Sequence, residues 1–93
     1  MTEAPLAELA RGEPVRLAIV NDTAFPHAMH LHGMHFREIL PEGGFGALRD
    51  TITLFRGETR EIAFTASNPG DWLLHCHMLG HQAAGMTTWL RVA

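Results

Sequence analysis

Asn68-Pro69-Gly70-Asp71-Trp72-Leu73-Leu74-His75-Cys76-His77 decides how this chain is read. Asn68 to Asp71 is a dense run of turn residues, with proline fixing one φ and glycine permitting an unusual one. Trp72 to His77 then reads as a strand. Successive side chains in a strand point to opposite faces. His75 and His77 therefore share one face and Cys76 takes the other. Two kinds of donor, imidazole and thiol, are set on the two sides of a single strand.

Working outward, the seven histidines fall into two clusters: His27, His30, His32 and His35, then His75, His77 and His81. Scattered core or surface histidines do not bunch in this way. In the first cluster His30 and His32 share a face. His27 lies an odd number of residues from both and points away from them if the strand is regular. One face then collects His30, His32, His75 and His77, and the other collects His27 and Cys76. Downstream, His81 and Met86 sit in a segment able to fold back over Cys76. Two imidazoles, a thiolate and a weak axial thioether make the blue-copper electron-transfer arrangement. Zinc accepts Cys and His too, but more often recruits further Cys or a carboxylate than a Met. The imidazole-only face suits further copper ions, which can activate oxygen.

The rest of the chain reads as β. Val15, Leu17 and Ile19 alternate with Arg16 and Ala18, a half-buried strand ending at Asn21-Asp22. A second strand is expected from Met29 to Leu40, followed by a glycine-rich loop over Pro41 to Gly46. Thr51 to Phe55 and Arg60 to Thr65 read as strands joined across Arg56-Gly57-Glu58, and Met86 to Val92 as the last strand. Pro5 to Ala10 reads as a short helix with poor caps, and Met78 to Ala84 as a short helical turn. Several short strands with regular turns argue an all-β Greek-key sandwich or barrel. The strand count is slightly low for a closed sandwich, which predicts an exposed edge.

Length and charge narrow the function. The 93 residues suffice for one domain, residues 1–93, without repeat or linker. The composition is 46% hydrophobic and 18% charged, with a formal net charge of -3. That balance gives no electrostatic case for nucleic acid or an anionic membrane surface. No apolar run approaches a membrane span. Met1 to Pro14 has neither the basic start nor the apolar stretch of a secretory signal. The single cysteine cannot form an internal disulfide, so it carries no information on compartment.

His27-Ala28-Met29-His30-Leu31-His32-Gly33 resembles the H-P-x-H-x-H-G motif of the multicopper oxidases (laccase-like and copper-resistance oxidases). His75-Cys76-His77, followed by His81 and Met86, resembles their H-C-H-x3-H-x4-M motif. Arg49-Asp50-Thr51 and Asn68-Pro69-Gly70-Asp71-Trp72 are also similar to that family's C-terminal domain. The resemblance runs from about Gly12 onward. It implies a cupredoxin fold, with His27, Cys76, His81 and Met86 holding a type 1 copper. It implies His30 as a type 2 ligand and His32, His75 and His77 as type 3 ligands, with Cys76, His75 and His77 carrying the electron between sites. The implied reaction is four one-electron oxidations of a reducing small molecule or metal ion, coupled to reduction of dioxygen to water. The implied location is periplasmic or secreted.

Ala28 stands where the family has proline, and Met34 where it often has histidine, with His35 displaced by one. A larger departure concerns the trinuclear centre, which takes four further histidines from another cupredoxin domain. Six histidines are assigned here and only His35 remains. Either Met1 is an internal methionine of a longer protein truncated here at its N-terminus, or two identical chains associate face to face, a homo-oligomer with eight imidazoles.

Each donor also has a plainer reading. Cys76 on its own is a small hydrophobe. His30 and His32 on their own are sheet-edge histidines, and Met86 is core packing. Met29, Met34 and Met78 read as core or site lining, His35 as a surface group or a neighbour of the ligands, and Trp72 and Trp89 as core aromatics. Asp50 reads either as a proton donor or neighbour of the ligands or as a turn or strand-end residue. The combination favours a copper-dependent oxidoreductase. Its rivals are a small blue-copper electron carrier and a non-catalytic copper-binding domain. The loops Pro41 to Gly46 and Gly80 to Gly85 are the expected docking places for the reductant.

Overall fold

The computed structural model describes residues 4–76 and 87–93. Among the described residues nine strands form two stacked sheets, and there is no helix. They are β1 (Ala7–Leu9), β2 (Pro14–Val20), β3 (His27–Leu31), β4 (Phe36–Ile39), β5 (Phe45–Arg49), β6 (Thr51–Leu54), β7 (Thr59–Thr65), β8 (Gly70–Cys76) and β9 (Thr87–Val92). One sheet has the order β1-β9-β8-β3-β6 and the other β2-β7-β4-β5.

The alternation expected around Val15, Leu17 and Ile19 is that of β2, whose residues alternate exposed and half-buried. Val15 and Leu17 lie opposite Phe64 and Ile62 of β7, and all four turn inward. From the other sheet, Leu31, Ile52, Leu54, Leu74 and Leu90 meet them in one core. Leu31, Leu54 and Ile62 are 1%, 0% and 0% exposed, so the centre of the sandwich is dry. Trp89 is buried, and Trp72 packs half-buried against the core, as core aromatics do.

Four expectations need correction. Pro5 to Ala10 is not helical: Ala7–Leu9 is a strand, parallel to β9 with Ala7 opposite Leu90 and Leu9 opposite Val92. Backbone bonds from Leu6 N to Trp89 O and from Ala93 N to Leu9 O extend this pairing, which buries Leu9. Tertiary pairing overrides a weakly capped helix. Met29 to Leu40 is not one strand. It splits into β3 and β4, which belong to different sheets. The break is at Gly33, which takes a φ of 84° that favours glycine. A Cβ there would lie 2.2 Å from the Trp72 ring, so the indole closes over a bare backbone where the chain changes sheets.

Pro41 to Gly46 is a loop only in its first part. Gly43 N bonds Leu40 O and Leu40 N bonds Gly44 O, a tight hairpin that leads directly into β5, a strand absent from the sequence reading. With β1 and β5 added, the strand count is not low. Thr51–Leu54 and Thr59–Thr65 are strands as expected, yet the turn between them carries the chain from one sheet to the other.

A charged side chain also ties the two sheets. Arg60 and Glu38 are paired on the inward side of the four-stranded sheet. Arg60 Nε donates to Glu38 Oε2 at 2.7 Å, and Arg60 Nη1 donates across the sandwich to the Thr53 carbonyl of β6 at 2.6 Å. The hydrogen bonds from Arg60 hold the Glu38 carboxyl below its ordinary range, and the charges of Arg60 and Arg49 add to this against the opposing effect of burial.

Candidate metal centre

β3 and β8 are antiparallel neighbours in the middle of the five-stranded sheet, with Met29 opposite Cys76, His30 opposite His75 and Leu31 opposite Leu74. This register decides the faces. His27, Met29, Leu31, Leu74 and Cys76 turn inward, and His30 and His75 turn outward. His27 and Cys76 are 5% and 0% exposed. His27 Nδ1 lies 3.4 Å from Cys76 Sγ. Nitrogen and sulfur ligands of one tetrahedral first-row ion stand roughly 3.5 Å apart, given metal–N and metal–S bonds of about 2.0 and 2.3 Å. The buried pair therefore fits a single small metal ion with no rearrangement of the backbone. Its soft sulfur beside an imidazole suits copper.

The outward face gathers imidazoles. His32 follows β3 and is held by a bond from its N–H to the Leu73 carbonyl at 2.9 Å. The ring centroids of His30 and His32 are 4.7 Å apart, those of His32 and His75 5.0 Å, and those of His30 and His75 5.8 Å. His32 Nε2 and His75 Nε2 approach to 2.9 Å. Among the described residues no group of three or more His, Cys, Asp or Glu side chains is gathered tightly enough to hold a metal ion by itself. The donors stand as one buried pair and one cluster of three rings.

Hydrogen bonds select which nitrogen each ring presents. His30 Nδ1 lies 3.0 Å from the Asp50 carbonyl and 3.2 Å from Thr51 Oγ1. A carbonyl only accepts, so the His30 Nδ1 facing it carries the proton and Nε2 presents the lone pair. His75 Nδ1 faces the Cys76 carbonyl at 3.3 Å, with the same result. On the inward face the choice is reversed. His27 Nε2 lies 2.7 Å from Thr23 Oγ1, and Nδ1 faces the sulfur.

The two-face division expected from strand alternation holds for His27, His30, His32, His75 and Cys76. His77, His81, Met86, Met78 and the loop Gly80 to Gly85 lie outside the described residues. Met34 is buried, Met29 packs half-buried against the core, and His35 is exposed. Asp50 sits at the bend before β6 and serves the site through its backbone carbonyl, with its carboxylate 3.8 Å from His30 Nδ1. The sequence reading missed Asn21, Thr23 and Thr51 as neighbours of the candidate donors His27 and His30. Asn21-Asp22 reads only as a turn signal, and the short polar side chains four and six residues before His27 were the available signal.

A cavity of about 150 Å³ reaches His27, bordered by Ile19, Val20, Asp22, Thr23, Met29 and Leu54 among others. The expected docking loop Pro41 to Gly46 does not border it. Its Phe45 lies instead against clefts bordered by β2 and β7 residues.

A two-sheet sandwich with a buried His–Cys pair on one side of a central strand and imidazoles on the other defines a cupredoxin-type copper domain. Comparison with known proteins gives the family. The multicopper oxidase family model matches residues 1–93. The chain is 42% identical over 85 residues to the copper resistance protein A homolog of Pseudomonas syringae pv. tomato, covering 90% of this chain and 14% of that protein. It is 39% identical over 79 residues to the multicopper oxidase MmcO of Mycobacterium tuberculosis, covering 85% of this chain and 16% of that protein. The crystal structure of Lac15 from a marine microbial metagenome superposes with a TM-score of 0.88 at 56% identity, covering 98% of this chain and 24% of that one. The chain belongs to the multicopper oxidase family, whose cofactor is copper. It spans between 14% and 24% of the length of these relatives.

Proposed function

We propose that residues 1–93 are the C-terminal cupredoxin domain of a multicopper oxidase, which accepts electrons at a type 1 site and passes them to a trinuclear site. In this reading His27, Cys76, His81 and Met86 hold the type 1 copper. His30 holds the type 2 copper, and His32, His75 and His77 serve the type 3 pair. Copper held by these residues would supply one-electron chemistry, so that four single-electron oxidations of a reductant balance the reduction of one dioxygen, with four protons, to two waters. A reducing small molecule or metal ion docks at the cavity beside His27, and the protein works in the periplasm or outside the cell.

One observation carries the reading. Cys76 and His75 are sequence neighbours on opposite faces of β8, and His75 Nδ1 faces the Cys76 carbonyl at 3.3 Å. The path from the buried sulfur to the outer imidazole therefore needs no jump through space. It runs along the Cys76 backbone and either through the peptide bond to His75 or across that hydrogen bond. The half-set of outer imidazoles is completed by a second cupredoxin domain or an identical chain.

The test is to load the chain with Cu(II), count copper per chain, record the visible spectrum and measure oxygen uptake with a generic reductant. The reading expects an intense thiolate–copper band, and oxygen uptake only when a complementary domain or second copy is associated. One copper with the band, and no uptake in any assembly, makes the chain a blue-copper electron carrier instead. Copper uptake without the band sinks the type 1 assignment and leaves a non-catalytic copper-binding domain.

A further inference from the structure

Asn21 is 4% exposed and is the only buried polar residue besides His27 among the described residues. Its surroundings fix its orientation. Nδ2 donates to the Phe25 carbonyl at 2.8 Å and to the Leu54 carbonyl at 3.0 Å. Oδ1 accepts from Thr23 N at 3.0 Å. Rotating the amide by half a turn would set an oxygen against two carbonyls and an NH2 against an N–H, so only one orientation satisfies all three. The backbone of Asn21 is held equally, by bonds from its N–H to Glu58 O and from Gly57 N to its carbonyl.

A fixed Asn21 dictates the state of Thr23. Thr23 Oγ1 lies 2.6 Å from Asn21 Oδ1, an atom that only accepts. Another acceptor-only atom near the hydroxyl is the Phe25 carbonyl at 3.1 Å. The shorter Asn21 contact takes the proton, since two oxygens facing each other at that distance without a proton repel. With either acceptor the proton points away from His27. A hydroxyl has one proton. The contact from Thr23 Oγ1 to His27 Nε2, at 2.7 Å, is then one in which the ring donates. His27 carries its proton on Nε2 and turns the Nδ1 lone pair toward Cys76 Sγ, 3.4 Å away.

We infer that Thr23, oriented by Asn21, is a positioning residue that locks His27 in the tautomer needed to bind a metal through Nδ1. This rests on the reading of His27 as a copper ligand. The relay has a second effect. A ring donating a hydrogen bond from one nitrogen is a stronger electron donor through the other, so Thr23 strengthens the bond to Cu(II). The loop that carries it also borders the cavity at His27. One short segment thus sets the ligand and shapes the approach to it.

The test compares Thr23→Val, which keeps the shape and removes the hydroxyl, with Thr23→Ser, which keeps the hydroxyl. In the metal-free chain, nitrogen–proton NMR of the His27 ring reports the tautomer directly. The wild type and Thr23→Ser are expected to show the proton on Nε2, and Thr23→Val a mixture or the Nδ1 form. With Cu(II) added against a competing chelator, Thr23→Val should lose about 10–100-fold in affinity at the thiolate site, and Thr23→Ser should recover most of it. Unchanged tautomer in Thr23→Val overturns the relay, including where the variant is merely less stable. If the wild type gives no thiolate–copper band, the copper reading fails, and the tautomer measurement still decides the relay.

Discussion

His30 and His75 are directly opposite on β3 and β8, and that pairing separates the two kinds of donor side chain in this domain. With these two rings facing outward, the residues one step along each strand, Met29 and Cys76, face inward. A slip of one residue would exchange the faces, placing the thiol among the imidazoles. The register is held by burial of Leu31 and Leu74, which are opposite each other and 1% and 4% exposed. Core packing therefore enforces the sorting of donors.

Removing the thiol should abolish the inward site alone. Cys76→Ser puts a hydroxyl of nearly the same size next to His27 Nδ1, 3.4 Å away in the native chain. The hydroxyl has an acceptor there, so the loss of stability should be small, about 1 kcal/mol. The thiolate–copper band should vanish completely while copper on the imidazole face is retained. Absorption spectra and copper counts on the variant check this, and a surviving band would place the thiolate ligand elsewhere.

The complementary change is His75→Ala. His75 makes close ring contacts with His32 and His30 on the outer face and takes no part in the His27–Cys76 pair. The band should persist with at most a small shift, while copper bound beyond the first equivalent falls. Electron passage from the inward site should slow by at least about tenfold, the order of effect seen when a ligand's supporting interactions are removed. Rapid-mixing reoxidation of the reduced protein in its assembled form measures this, and an unchanged rate would show that His75 is not on the path.

The sequence displayed the faces but not the details that tune them. Alternation along Trp72 to Cys76 and the spacing of His27, His30 and His32 were sufficient to sort donors, because strand geometry is local. The split at Gly33 was less legible, since its cause is Trp72, 39 positions away along the chain. β1 was read as helical because its partner, β9, lies at the other end of the chain. The choice of ring nitrogen was also hidden: it depends on a carbonyl for His30 and on Thr23 and Asn21 for His27, and motif spacing carries no hydrogen-bond geometry.

Gly33→Ala should be strongly destabilising. The φ of 84° is unfavourable for a side chain, and the new Cβ would meet Trp72 ring atoms at 2.2 to 2.6 Å. Strain and overpacking together predict a loss of about 2–4 kcal/mol, read as a lowered denaturant midpoint. Displacement of the indole also disturbs Asn68, which accepts from Trp72 Nε1 through its carbonyl at 3.0 Å and donates from its side chain to the Gly33 carbonyl. His32 is the residue before Gly33, so copper on the imidazole face should weaken more than the thiolate site. Equal weakening of both would show that the change acts only through global unfolding.

Stability should fall in acid partly through Glu38. Its carboxyl is held below its ordinary range, chiefly by the hydrogen bonds from Arg60. The unfolded chain, with a glutamate pKa of about 4.3, then binds a proton before the folded chain does. The contribution of this pair is fully present above that value and is lost as pH falls through the lower folded-state value. Both groups lie mostly out of solvent, with side chains 17% and 30% exposed, so salt should weaken the pair less than it weakens the exposed Arg16–Glu61 and Arg91–Asp71 pairs. Glu38→Gln keeps a hydrogen-bond acceptor and removes the charge. It should cost roughly 1–2 kcal/mol near neutral pH and much less in strong acid, where the native carboxyl is protonated too. Denaturant titrations of both proteins at several pH values give the comparison. A cost independent of pH would mean that Glu38 serves Arg60 as a hydrogen-bond acceptor and that its charge contributes nothing.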